Sequence, residues 1–168
     1  MIKCKPLRSV KQTAFMMITF VVLALATGFL SVFGPELGLP AAVGRIPFGI
    51  VLAVALYYMI RYSLADMEYE LSADTLTIVK TVGRRRTVMG ALDLSMTVAL
   101  VSKAEYKENK QKYGKINHYF NYRQNPFGDG MIYIFEFGGN KALLKFEPNE
   151  PFTAKLREAI DNCKKDSE

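Results

Sequence analysis

Residues 13–33, TAFMMITFVVLALATGFLSVF, run for 21 positions without a charged side chain. At ~1.5 Å per residue a helix of that length is ~31 Å long, which matches the ~30 Å hydrocarbon core of a bilayer. A buried helix of a water-soluble domain seldom stays apolar on every face for so long, so the run is expected to cross a membrane. A basic segment precedes it, and ALAT at 24–27 resembles a signal-cleavage site. The apolar character continues past that point to Phe33, which favours an uncleaved span.

A second apolar run, IPFGIVLAVALYYMI, occupies the 15 positions between Arg45 and Arg61. It reaches across a bilayer if both arginines extend to the head groups and RYSL prolongs its inner end. Pro47 suits the first turn of such a helix, and Tyr57, Tyr58 and Tyr62 suit the interface at its exit. The connection GPELGLPAAVGR is short and rich in helix-stopping residues. The expected organisation is a basic cytoplasmic N-terminus at 1–12, a transmembrane helical hairpin at 13–64 and a cytoplasmic β domain at 65–168.

Charge decides the orientation. The chain carries a net charge of +6, and residues 1–64 hold 6 Lys/Arg against one acid, Glu36. The other 16 Lys/Arg face 15 Asp/Glu, so the second half is nearly neutral. Four Lys/Arg precede the first apolar run and one, Arg45, lies in the connection. The positive-inside rule then places both termini in the cytoplasm, in a two-span protein of the cell membrane. The basic excess belongs to the membrane flanks, which removes the main reason to expect a nucleic-acid partner. No charge lies mid-span, so nothing points to an ion or proton path.

From Met67 the hydrophobic period changes to two. MEYELS and TLTIVKTV read as strands around the turn SADT, and Gly83 allows a further turn before RRRTVM. LDLSMTVAL sets Leu92, Leu94, Met96, Val98 and Leu100 on one face, which predicts a single strand over 92–100. HYFNYR, MIYIFEF and KALLKF read as three more strands, with NPFGDG and GGN as turns. In the last segment Phe152, Leu156, Ala159, Ile160 and Cys163 form one helical stripe, with Asn149 as N-cap and Pro151 in the first turn. Its wet side offers Arg157 with Asp161, and Asp161 with Lys165, as i,i+4 pairs. The expected fold is a small barrel or curled sheet of about seven antiparallel strands, capped by a C-terminal α-helix.

Strands followed by a capping helix resemble the bacterial pleckstrin-homology-like domains. MEYEL, GRRRT and YIFEFGGNKALLKFEPNE behind two N-terminal spans are also similar to an uncharacterised bacterial family of small two-span membrane proteins. The resemblance implies a binding module without catalytic residues. Lys80, Arg84 and Arg86 follow the Lys, loop, basic-x-Arg order of phosphoinositide binders across three intervening residues. So short a loop does not wrap a head group.

The candidate contact residues are Arg84, Arg85, Arg86, Lys103 and Lys107. A strand that leaves the bilayer at Met67 and returns after the SADT turn brings Arg84–Arg86 back to the membrane surface. If the meander continues, Lys103 and Lys107 return to the same level. Near anionic lipid each such charge contributes roughly 1 kcal/mol. Charges on an exposed hairpin edge also discourage edge-to-edge pairing, so a solvated edge is the competing reading. Arg85 alternates with Arg84 and Arg86, so the three do not share one face.

Enzyme chemistry finds little to work with. There is one histidine, His118, which opens a strand, and no phosphate loop, nucleophile elbow or metal-ligand spacing. Cys4 and Cys163 lie at opposite ends of the chain, and Cys4 is expected to be a plain reduced thiol rather than an acylated one. Lys alternating with aromatics over 103–123 suits single-stranded nucleic acid, but equally a solvated loop that runs into a strand. The expected partners are the bilayer, anionic lipid head groups and a membrane or cytoplasmic protein, with no cofactor, metal or nucleic acid. The alternative role is a structural or regulatory subunit of a larger membrane complex, such as a transporter or secretion assembly.

Overall fold

The computed structural model describes residues 1–165; the last three residues of the domain expected to run to 168 lie outside the described residues. The chain divides into a helical unit, Ser9–Ala65, and a β unit formed by Met1–Arg8 together with the chain from Asp66 onward.

In the helical unit, α1 (Val10–Phe33) starts three residues before the apolar run, because Ser9 caps it by accepting from the Gln12 amide. It stops at Gly34 before Pro35, and a 3₁₀ turn (Pro35–Leu37) ends at Gly38 with φ 78°. Helix α2 (Ala42–Met59) runs on into a π-helical turn, Ile60–Leu64. Both helices are long and apolar enough to cross a membrane. They lie antiparallel: Gly44 meets the Ser31 backbone, Gly28 meets the Phe48 ring, and the Phe20 and Tyr58 rings are 5.5 Å apart. A Cβ on Gly44 would overlap the Ser31 backbone, so glycine permits the close approach. Pro47 does not occupy the first turn as expected. Residues 42–45 extend the helix ahead of it, and Pro47 sits in the interior, where the Val43 carbonyl loses its i+4 donor.

Among the described residues the β unit has eight strands in two four-stranded sheets. The first sheet has the order β1 (Ile2–Cys4), β2 (Ala65–Leu71), β3 (Thr75–Val82), β4 (Arg85–Asp93). The second has the order β5 (Thr97–Ser102), β7 (Met131–Phe137), β8 (Asn140–Phe146), β6 (His118–Asn121). Strand β1 lies in the segment expected to be a basic N-terminal tail. It pairs antiparallel with β2, Ile2 opposite Leu71 and Cys4 opposite Tyr69. Residues before α1 and after α2 thus share one sheet.

Two expectations about the strands are corrected. The run 92–100 is not one strand: Leu94–Met96 form a 3₁₀ turn, with the Asp93 carboxylate accepting from the Ser95 amide at 2.8 Å. Leu94 is buried while Met96 is 51% exposed, so the alternation breaks where the chain crosses between sheets. Nor are all pairings antiparallel, since β6 runs parallel to β8. The long connection after β5, helix α3 (Lys103–Glu108) with a 3₁₀ turn (Lys110–Tyr113), gives β6 the reach to enter that way. The sheets do not close into a barrel; β4 ends one of them as an edge.

The main core lies between the sheets and helix α4 (Glu150–Lys165). Tyr69, Leu76, Tyr133, Phe146, Phe152 and Leu156 are among its fully buried side chains. Cys4 is a free thiol within this core. The other face of the second sheet carries a smaller cluster of Val101, Tyr113, Ile132, Ile134 and Leu143. This is why MIYIF shows no polar alternation: Tyr133 and Phe135 serve one cluster while Ile132 and Ile134 serve the other. Helix α4 meets the core through the expected stripe, with Phe152, Leu156 and Ile160 buried and Ala159 and Cys163 at its margin. Asn149 caps it by accepting from the Phe152 amide at 3.0 Å. Among the described residues the ion pair on its wet side is Lys155 with Glu158, in place of the expected Arg157–Asp161 and Asp161–Lys165 pairs.

Candidate functional site

The three arginines separate. Gly83, at φ 58°, and Arg84 form a two-residue hairpin turn, with Val82 opposite Arg85 at the start of β4. Arg84 and Arg85 are exposed at the tip. Arg86 instead reaches across the sheet to pair with the Glu70 carboxylate, with Glu68 4.0 Å away. From the other side Lys3 lies 2.6 Å from Glu70, which it faces in the β1–β2 register, and Lys5 lies 3.9 Å from Glu68. The two carboxylate side chains are only 8% and 12% exposed. The Lys3 hydrogen bond, helped by the charges of Arg86 and Lys3, holds the Glu70 carboxyl below its ordinary 4.5 against the opposing effect of burial. Arg86 is therefore a clamp on the outer face of the sheet.

Lys103 and Lys107 do not join the arginine tip. The meander stops at Asp93, and β5 carries the chain along β7 in the second sheet, with Ser102 opposite Met131. Ser102 caps α3 by accepting from the Glu105 amide at 3.1 Å. This leaves Lys103 2.9 Å from Asp129, in the loop between β6 and β7. The Asp129 carboxyl is held below its ordinary 3.8, first by the hydrogen bond from Lys103 and then by its charge, with Arg123 and Lys107 adding. Lys103, Lys107 and Arg123 thus converge on one exposed acid.

The β6–β7 loop is built around Arg123. Its Nε donates to Asn121 Oδ1 at 3.1 Å, Nη1 to the Gly128 carbonyl at 2.8 Å and Nη2 to the Pro126 carbonyl at 3.4 Å. The next two residues turn inward, Gln124 at 2% and Asn125 at 9% exposure. Gln124 Oε1 accepts from the Met67 amide at 2.7 Å, and Asn125 donates to the Leu7 carbonyl at 3.0 Å. Glu147 Oε2 accepts from both backbone amides, at 3.2 and 3.0 Å, and from the Asn125 side chain at 2.9 Å. A Cβ on Gly128 would overlap the Glu147 carboxylate, so a side chain there would displace that carboxylate.

Under this loop lies a cavity of about 350 Å³, lined by Lys103, Arg123, Lys145, Pro126, Phe127 and Met131 among others. The chain matches no protein-family model, no curated protein and no solved structure. What the site can do is therefore read from its own chemistry. It offers three cations and one exposed acid around an apolar wall, with Phe127 56% exposed. Among the described residues no group of three or more His, Cys, Asp or Glu side chains is placed to hold a metal ion. His118 is exposed and packs edge-on against Phe137 at 5.7 Å.

Arg123 and Lys145 were not legible as site residues. Lys145 is one exposed position in an alternating strand, and Arg123 follows a strand in the unremarkable context NYRQNPFGDG. The one local signal was the polar pair Gln124 and Asn125 before a Pro and two glycines, which marks a loop with internal hydrogen bonds rather than a plain turn.

Proposed function

We propose that this chain is a two-span protein of the cell membrane whose β domain works as a binding module at the cytoplasmic surface, in contact with anionic lipid and without catalysis. The observation that carries the reading is the β1–β2 pairing, which brackets the two apolar helices within one sheet. If α1 and α2 cross the bilayer, the strand before one and the strand after the other share a side. The Lys/Arg asymmetry of the flanks selects the cytoplasm.

No long linker separates domain from helices: only Ser9 stands between Arg8 and α1, and β2 begins directly after Leu64. Arg8 and Asp66, at these two junctions, pair at 2.7 Å. The hairpin antiparallel to β2 returns Arg84 and Arg85 toward the same end of the sheet. The general plan of two packed sheets closed by α4 supports a pleckstrin-homology-like module. Its charge reading differs from a phosphoinositide pocket, because Arg86 is occupied by Glu70.

Two measurements on the full chain test this. With Cys4 and Cys163 replaced, cysteines introduced at Leu37 and at Glu108 should label oppositely with an impermeant thiol reagent on intact cells. Outside labelling at Glu108 overturns the cytoplasmic assignment. After reconstitution, Arg84→Ala with Arg85→Ala should reduce cross-linking of the domain to anionic lipid at low salt, an effect that added salt removes for wild type.

A second reading, a subunit of a larger membrane complex, is favoured by β4. This nine-residue edge strand has one side without a strand partner among the described residues, and it exposes Val88 and Met89. Such an edge accepts an extended segment of another protein. Stoichiometric cross-linking through β4 in native membranes would support it.

A further inference from the structure

We infer that the cavity between Lys103, Arg123 and Lys145 is a binding site for a phosphate monoester group, with a lipid head group as its nearest source. Whether that source is a lipid rests on the membrane reading above; the site itself does not.

The charge balance points to a doubly charged anion. Lys103, Arg123 and Lys145 supply three positive charges to the cavity; of the neighbouring carboxylates, Asp129 pairs with Lys103 and Glu147 is turned onto the Gln124 and Asn125 amides. A phosphate monoester carries about −1.5 to −2 at neutral pH, which meets that surplus, whereas a diester carries half of it. The Lys145 side-chain amine has no hydrogen-bond or ion-pair partner among the described residues, and the residue faces Ile132 across the β7–β8 register. The Lys103 pair with Asp129 is a weak competitor, because the Asp129 side chain is 88% exposed and solvent screens it.

The site is also pre-formed. Three of the Arg123 donor contacts hold the loop in shape, and Glu147 clamps its first residues from below. A ligand then binds without first ordering the loop, which removes a common entropic cost. The wall of Pro126, Phe127 and Met131 offers apolar surface beside the cations, the combination that an amphiphile with a phosphate head requires. The loop is hydrogen-bonded to Leu7 and to Met67, which lie in the segments that precede α1 and follow α2 in the chain.

The test uses the full chain in neutral micelles, where no bilayer is present, with calorimetric titration of dihexanoyl phosphatidic acid, dihexanoyl phosphatidylglycerol and inorganic phosphate. Phosphatidic acid should bind saturably at one site, and phosphatidylglycerol about tenfold or more weakly. Lys145→Gln and Lys103→Gln should each weaken phosphatidic acid about tenfold, while Lys164→Gln, which removes the same charge from the end of α4, should leave it unchanged. Asp129→Asn should tighten binding, a gain that misfolding does not mimic. Inorganic phosphate that binds as tightly as the lipid keeps the site and assigns it a soluble phosphate; much weaker phosphate binding assigns the lipid. Absence of saturable binding, equal affinity for the diester, equal loss in Lys164→Gln or weakening in Asp129→Asn would overturn the proposal. An outside label at Glu108 would instead sink the membrane-side reading and leave this result standing.

Discussion

Asn125 donates its side-chain amide to the backbone carbonyl of Leu7 at 3.0 Å, joining residues 118 apart in sequence. The same amide group donates to Glu147 Oε2, so one side chain ties the β6–β7 loop to the strand end below it and to the segment that precedes α1. Asn125→Ala removes both bonds and should cost about 1–3 kcal/mol in the urea stability of the full chain, followed by tyrosine fluorescence in neutral micelles. Faster hydrogen exchange confined to residues 122–130 should accompany it. A change below about 0.3 kcal/mol with unaltered exchange would show that Gln124 and Glu147 hold the loop by themselves.

The arginines of the hairpin divide by role, and stability separates them. Arg86→Ala leaves the buried Glu70 carboxylate with Lys3 alone, and a loss of about 1 kcal/mol is expected once solvent screening of the half-exposed guanidinium is allowed for. Arg84→Ala and Arg85→Ala remove no such pair among the described residues and should leave stability within about 0.5 kcal/mol of wild type. The reverse order in a urea titration would mean that the tip arginines, not Arg86, brace the sheet.

The pH dependence follows from two groups with opposite signs. The folded-state pKa of Glu70 lies below its ordinary 4.5, so its contribution is complete above that value and is lost as pH falls below it. Lys3→Ala, which removes the hydrogen bond that lowers the Glu70 carboxyl most, should flatten the acid limb of the stability curve. Burial pushes the Tyr133 hydroxyl up to about 12 from its ordinary 10.0. The Thr97 hydroxyl donates to the Leu94 carbonyl at 2.6 Å, so Tyr133 donates to Thr97. The stability contributed by this neutral hydroxyl is intact below pH 10 and declines as pH rises toward 12. Tyr133→Phe should remove that alkaline decline; if the slope between pH 10 and 12 persists, another group causes it.

Leu156 has no exposed surface and sits at the centre of the α4 stripe. Leu156→Ala should cost about 2–5 kcal/mol, the range for a buried leucine whose site does not collapse, and Ile160→Ala slightly less at its 5% exposure. Urea midpoints of the two variants within 0.3 M of wild type would mean that the helix contributes little to the core.

Much of this architecture follows from short-range periodicity, which a chain displays without reference to its fold. The length of the uncharged run, the Gly83 turn, the Gly138–Gly139 turn with φ 56° and 76°, and the α4 stripe with its Asn149 cap are all local. Each follows from backbone sterics or from helical spacing, and the uncharged run lies within α1. The N-terminal strand is different. Ile2–Cys4 is three residues long and reads as a charged tail, and only the arrival of β2 more than sixty residues later gives it a partner. The break at Leu94–Met96 is likewise invisible to alternation, because Met96 and Leu94 exchange environments only when the chain changes sheets. For the site, the sequence singled out Lys103 and Lys107 as contact candidates at one level with Arg84–Arg86. It could not say that Arg123 and Lys145 would meet Lys103 around one cavity, since that meeting depends on β7 lying between β5 and β8. The sequence by itself determined the two long apolar helices, α4 and the strands with a clear hydrophobic pattern, because those follow from neighbours a few residues apart. Strand order and the grouping of charges were decided only by the tertiary structure, because pairings across tens of residues depend on the whole core closing at once.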